Sequence, residues 1–200
     1  MKKNLKMQFS RGALMSDKDF LGLLFPEVLV KKIEIKEITP CTADPERIKF
    51  LAQTDKSIGD VLPIIYLSIP NAKYSEKLGA LSYTHQQHLI TMFSTGRIGM
   101  TYVKDRKEAE QLVEEAKSLI NRAFLYLKTH GKLDSKLIES KKELSPMKIY
   151  EKLPKTNCKE CGEDGCYVFG VKLLSGEKQL SQCPYVDLHE LEKMLQPIRI

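Results

Sequence analysis

The chain has 200 residues, 42% of them hydrophobic and 29% charged, with a formal net charge of +6. That length holds one ordinary domain and a small appended one, and this composition, without a low-complexity tract, excludes a disordered chain. The longest apolar runs, Leu21 to Val30 and Val61 to Pro70, contain Pro26 and Pro63; both fall well short of the roughly 20 residues that span a bilayer, so no membrane insertion is expected.

Residues 1–27 read as an N-terminal extension. Met1 to Arg11 is basic, but the apolar patch after it ends at once in Ser16, Asp17, Lys18 and Asp19, so it lacks the apolar region of a secretory signal. The expected location is the cytoplasm. Residues 151–200 hold seven Lys/Arg against eight Asp/Glu, so the charge of the rest is +7. A basic body attracts nucleic acid, an acidic protein or anionic cofactors, or is simply a solvated surface.

An α+β domain is expected over 28–130. Val28 to Ile38 alternates apolar and charged residues, which predicts a half-buried strand. Asp44 as a cap, Pro45 behind it and the stripe Ile48, Leu51, Ala52 predict a short helix. Ser57 with Asp60 resembles a capping box for a second helix through Val61 and Ile65, with Pro63 in its first turns. From Ala72 to Val103 short β-prone runs break at Lys77–Gly79, His85–Gln87 and Ser94–Gly96, which predicts hairpins. Asp105 then starts a long helix whose stripe Ala109, Leu112, Val113, Ala116, Leu119, Ile120, Ala123, Phe124 lasts to about Leu127. This order predicts an antiparallel sheet with helices on one face. Residues 131–144 are polar and read as a linker. A short helix from Ser145 opens the C-terminal module, 145–200.

Residues 91–120, TMFSTGRIGMTYVKDRKEAEQLVEEAKSLI, resemble the strand, turn, strand and helix of one repeat of the TATA-binding protein. The likeness covers about thirty residues and one such unit, where that family uses two. It implies a TBP-like half for the fold and carries over no DNA-binding residue.

The C-terminal module holds the chemistry. Cys158, Cys161, Cys166 and Cys183 follow the spacing C-x2-C-x4-C-x16-C, with Pro184 directly behind the last. In a reducing compartment clustered cysteines bind metal or do redox work more often than they form disulfides. A C-x-x-C pair points two thiolates at one centre, and Gly162 and Gly165 let the loop bring in a third. Four soft thiolates suit zinc or an iron–sulfur cluster. Structural four-cysteine zinc sites usually use two C-x-x-C knuckles, whereas one knuckle, one looser pair and a distant Cys-Pro is closer to ferredoxin-like usage. After Cys166 the segment YVFGVKLLSGE predicts a helix with Cys166, Phe169, Gly170, Leu173 and Leu174 on one face and Gly176 as its C-cap. That face, with Gly170 for close approach, is expected against the metal centre, and the helix N-terminus is expected to face the anionic thiolates.

Residues 153–186, LPKTNCKECGEDGCYVFGVKLLSGEKQLSQCPYV, resemble the small [4Fe-4S] domain of the large subunit of the corrinoid iron–sulfur protein of acetyl-CoA decarbonylase/synthase. A similar domain occurs in the B subunit of the ion-pumping ferredoxin:NAD oxidoreductase and in corrinoid-reactivating proteins. The resemblance implies that Cys158, Cys161, Cys166 and Cys183 all ligate one [4Fe-4S] cluster. The cobalamin-binding barrel of that subunit has no room in the remaining length, so only electron handling carries over. The whole chain also resembles iron–sulfur proteins of archaea and anaerobic bacteria with a similar TPCTADP segment, from which no activity carries over.

Cys41 reads as a buried small residue, and His85 and His88 as polar hairpin residues instead of a zinc pair. No dinucleotide fingerprint, P-loop, Ser/His/Asp order or paired catalytic carboxylates can be identified, and the C-x3-C-x-x-C spacing of radical chemistry is absent. The sequence therefore points to a non-catalytic electron carrier or accessory protein, moving one electron at low potential to or from a redox partner such as a corrinoid protein or methyltransferase. The competing expectation is a nucleic-acid-binding or regulatory protein whose cluster senses redox state or staples the fold.

Overall fold

A computed structural model describes residues 27–42 and 44–200. All but the last residue of the expected N-terminal extension lies outside the described residues, as does the basic stretch judged not to be a secretory signal.

Six strands form one antiparallel sheet in the order β1-β2-β6-β5-β4-β3. They are β1 (Ile33–Pro40), β2 (Ile48–Thr54), β3 (Lys73–Ser75), β4 (Ala80–His85), β5 (His88–Phe93) and β6 (Arg97–Val103). The register places Phe50 opposite Met100, Ala52 opposite Ile98, Met92 opposite both Ile98 and Leu81, and Ile90 opposite both Met100 and Tyr83. All eight side chains are buried on the same face, as the period of two requires. The other face exposes Leu51 and Leu89 at 40% and 47%.

Two helices cover the buried face. A 3-10 turn at Gly59–Val61 runs into α1 (Leu62–Ser68), and α2 (Arg106–His130) lays Ala109, Leu112, Val113, Ala116, Ile120 and Ala123 into the same cluster. Asp105 caps α2 by accepting the Glu108 N–H at 2.9 Å, as expected. Pro63 sits in the first turn of α1, but no side chain caps either the 3-10 turn or α1, so the Ser57/Asp60 box does not form.

Two strand expectations need correcting. Residues 48–54 are β2, not a helix: Asp44 to Arg47 make a turn closed by Arg47 N to Asp44 O at 3.0 Å. The buried set is Phe50, Ala52 and Thr54, at period two, while Leu51 points outward. The first strand begins at Ile33 instead of Val28. Val30 before it is buried, but both its N–H and its C=O are taken by the Asn121 side chain of α2, at 2.9 and 2.8 Å, so no ladder forms there.

Within residues 131–144 the chain forms α3 (Ser135–Lys142), capped by Asp134, and Lys141 docks it on α1 by donating to Tyr66 O and Ile69 O at 2.5 and 2.6 Å. Then come α4 (Pro146–Lys152), α5 (Cys166–Ser175), a 3-10 turn at Leu180–Gln182 and α6 (Leu188–Leu195). These build a second, smaller core from Ile149, Leu153, Cys166, Phe169, Leu173, Cys183, Leu191 and Leu195. The final residues return to the first: Ile198 is buried in the sheet–helix core and Ile200 packs against it. Among the described residues no helix is long and apolar enough to cross a membrane.

Candidate metal centre

The centre is built on the loop between α4 and α5. Ser145 caps α4 by accepting Lys148 N at 3.3 Å, and the helix ends at Leu153. The next residues take left-handed backbone at Lys155 (φ 59°), Asn157 (φ 48°), Lys159 (φ 66°) and Gly162 (φ 79°). For L-residues such conformations cost about 1 kcal/mol each. Recurring left-handed residues turn successive peptide N–H groups into a concavity suited to anions, including iron–sulfur sites. Within this loop Gly162 N donates to Lys159 O at 2.8 Å, which makes the C-x-x-C pair a tight turn carrying Cys158 and Cys161.

Cys166 opens α5, behind Gly165 in extended backbone and without a side-chain bond from its N-cap. The first N–H groups of a helix have no partner inside it. Here the Cys166 N–H is taken by Asn157 Oδ1 at 2.9 Å, which folds the loop onto the helix start. A Cβ on Gly165 would stand 3.0 Å from that oxygen, so the close approach favours glycine. At the other end Gly176 is left-handed (φ 80°) and caps α5, as expected. The chain then returns through Leu180–Gln182, and Cys183 N bonds Leu180 O at 3.1 Å.

The structure brings Cys166 and Cys183 into one buried apolar cluster, with Cys161 partly buried against it and Cys158 exposed on the loop. All four are unbonded thiols. Cys158 and Cys183 both lie near enough to act on Tyr185: its phenol is pushed up first by its hydrogen bond to Glu160 at 2.8 Å, then by the Glu160 charge and burial, and further by those two cysteines. As they stand, no three or more His, Cys, Asp or Glu side chains among the described residues are gathered as a grip for a single ion. The chemistry of the donors, four soft thiols, fits an iron–sulfur cluster.

Sequence reasoning missed the groups that hold the loop in place. Glu163 is buried and pairs with Lys172 at 2.7 Å and Lys178 at 3.2 Å. The hydrogen bond from Lys172 leads the lowering of its carboxyl below the usual range, against burial. Lys178 Nζ also donates to Cys161 O at 3.1 Å, tying the returning segment to the C-x-x-C turn. Only Asn157 carried a signal, as an Asn in a turn-forming stretch.

Gly170 corrects an expectation. A Cβ there would meet Ile149 Cγ2 at 3.4 Å, Pro146 O at 3.5 Å and Leu153 Cδ1 at 3.6 Å, so it serves the close packing of α5 on α4 instead of facing the centre. The two hairpin histidines go separate ways. His85 is exposed, 3.9 Å from Glu115, while buried His88 bonds Tyr102 O through Nδ1 at 3.0 Å and lies 3.7 Å from Glu108. Cys41 is buried in the body, where its N–H donates to Arg47 O at 2.8 Å.

Residues 153–185 match the family model described as "Putative Fe-S cluster". The chain is 48% identical over 52 residues to the acetyl-CoA decarbonylase/synthase complex subunit gamma of Methanocaldococcus jannaschii, covering 26% of this chain and 11% of the relative. It is 49% identical over 43 residues to the corrinoid/iron-sulfur protein large subunit of Moorella thermoacetica, 22% of this chain and 10% of the relative. The chain thus spans about a tenth of the length of these curated relatives. No solved structure matches it. Residues 153–185 thus carry the match to an iron–sulfur cluster domain, which supports iron–sulfur binding by this segment.

Proposed function

We propose that Cys158, Cys161, Cys166 and Cys183 together hold one [4Fe-4S] cluster and that the chain passes single electrons, at low potential, to or from a partner redox protein. The observation that carries this reading is the set of four unbonded thiols inside the matched segment, two of them buried in the same apolar cluster. When bound, such a cluster supplies one-electron redox chemistry, within roughly −700 to +450 mV across known proteins. The chain's own residues do the rest. The left-handed loop and the start of α5 present N–H groups to thiolate charge, Phe169 and Leu173 keep water from one side, and Lys178 fixes the C-x-x-C turn through Cys161 O. The names of the relatives support a partner that is a corrinoid protein, a methyltransferase or a similar complex, acting in the reducing cytoplasm.

The test is electron paramagnetic resonance of the anaerobically reconstituted full chain before and after reduction. A signal that appears on reduction and disappears on reoxidation is expected; a loaded cluster that stays silent contradicts the electron-transfer reading and leaves a structural cluster.

One observation favours a second reading, nucleic-acid binding by the body. The sheet face that no described helix covers sets exposed Leu51 and Leu89 among Lys49 and Arg97, and Arg97 falls in residues 91–120, the part likened to a TATA-binding-protein repeat. A gel shift whose affinity falls steeply with salt would establish it.

A further inference from the structure

A cavity of about 380 Å³ lies between α1, β3, α3 and α5, and none of the four cysteines lines it. Its polar lining is Tyr66, Asn71, Lys73, Tyr74, Lys141 and Lys142, and no aspartate or glutamate lines it among the described residues. Leu144 and Leu174 close the remaining wall, so the body and the cluster domain share it. None of the three lysines makes an ion pair with a carboxylate among the described residues, although the chain's other lysines supply most of its ion pairs.

Two of the lysines are held against the tyrosines. Lys141 is 6% exposed, its ammonium donates to Tyr66 O and Ile69 O, and it stands 4.8 Å from the centre of the Tyr66 ring. An ammonium has three donors, so one is left over. Lys142, next on the same turn of α3, stands 5.9 Å from the Tyr74 ring centre, and the two rings are 5.7 Å apart. Two cations thus sit on two adjacent rings, each favoured by the ring face. Burial pushes the Tyr66 and Tyr74 phenols up, with the Glu76 charge adding to Tyr74, so both remain neutral hydroxyls that can donate.

We propose that this cavity binds a small, multiply charged oxyanion, a phosphate ester or a polycarboxylate. Lys73 and Lys142 line the cavity beside Lys141 with no carboxylate among the lining residues, and a bound anion offsets their repulsion and favours the charged form of Lys141, whose third donor it takes. The volume is at the small end of ligand cavities. The lysines meet around a concavity with an apolar back wall, which suits a small molecule better than the flat face of a macromolecule.

The experiment is calorimetric titration of the full chain with pyrophosphate and with citrate at low ionic strength. Saturable binding of one or both, at about one site per chain, is expected, and the tighter of the two tells phosphate from polycarboxylate chemistry. Lys73 and Lys142 are exposed at the rim, so Lys73→Gln and Lys142→Gln should keep the melting temperature and weaken binding by about five- to tenfold each. Lys107→Gln, an exposed position on α2 outside the cavity, should leave it unchanged. Neither anion binding at millimolar concentration, or binding that both rim substitutions leave intact, overturns the proposal.

Discussion

Asn157 Oδ1 accepts the backbone N–H of Cys166 at 2.9 Å, nine residues along the chain. The bond does the work of a helix cap from outside the helix. It also joins the residue before the first cysteine to the third. Asn157→Ala should cost about 1 kcal/mol, as loss of a capping side chain does, and should also speed iron loss from the loaded protein. Asn157→Asp keeps the acceptor, so it should restore the stability but place a new negative charge beside the thiolates. Melting curves together with iron release to a chelator check both; an alanine variant that melts and holds iron like the wild type would show that the loop is fixed by other contacts.

Gly170 separates two effects of opposite sign. A Cβ there would lie 3.4 to 3.6 Å from Ile149, Pro146 and Leu153, the edge of ordinary contact. Gly170→Ala therefore gains up to about 1 kcal/mol of helix propensity and stays near neutral or slightly stabilising. Gly170→Leu has nowhere to put its branches and should destabilise by about 1–3 kcal/mol. Denaturant titration of the two variants distinguishes close helix packing from a role at the centre, which would make even alanine harmful to iron retention.

Burial lowers the pKa of Lys141 from 10.5 to about 7. Between those values the unfolded chain binds more protons than the folded one, so this residue makes stability rise with pH from about 7 toward 10.5; below pH 7 both states are charged and its penalty is constant. The gain is at most about 1.4 kcal/mol per pH unit. A neutral amine keeps two N–H donors, enough for Tyr66 O and Ile69 O, so the docking of α3 survives. Lys141→Met leaves both carbonyls bare, which costs about 1–3 kcal/mol without pH dependence. Denaturant titrations at pH 7 and 9.5 should show the wild type gaining relative to Lys141→Met; an equal response in both would contradict the assignment.

Ile198 is 7% exposed in the sheet–helix core, although it follows the last helix of the cluster domain. Ile198→Ala should lower stability by about 2–5 kcal/mol, the range for a buried isoleucine. The loss should show in unfolding of the body, followed by its tyrosines, while iron content stays unchanged. A variant that loses iron first would place the tail's main role in the cluster domain.

Local chemistry was readable where it decides the conformation by itself. The breaks at Lys77–Gly79, His85–Gln87 and Ser94–Gly96, the helix starts at Asp105 and Ser145 and the Gly176 end of α5 all appear as expected. Misreading came where a distant segment decides. Asp44 and Pro45 look like the start of a helix, but residues 48–54 pair on both sides with β1 and β6, and that pairing overrides the local signal. Val30 is held by Asn121, 91 residues away, which no periodicity reveals. At the centre, spacing alone singled out the four cysteines. The groups that orient them, Asn157, Glu163 and Lys178, act through backbone atoms or ion pairs formed only on folding and leave no pattern in the sequence.

Metal and acid-labile sulfide analysis of the full chain, reconstituted without oxygen, tests the central claim most directly. The account predicts about four irons and four sulfides per chain, with broad absorption near about 400 nm, and loss of the cluster when any one of Cys158, Cys161, Cys166 or Cys183 is changed to Ser. One tightly held zinc per chain without sulfide, or iron content unaffected by those four substitutions, would contradict it.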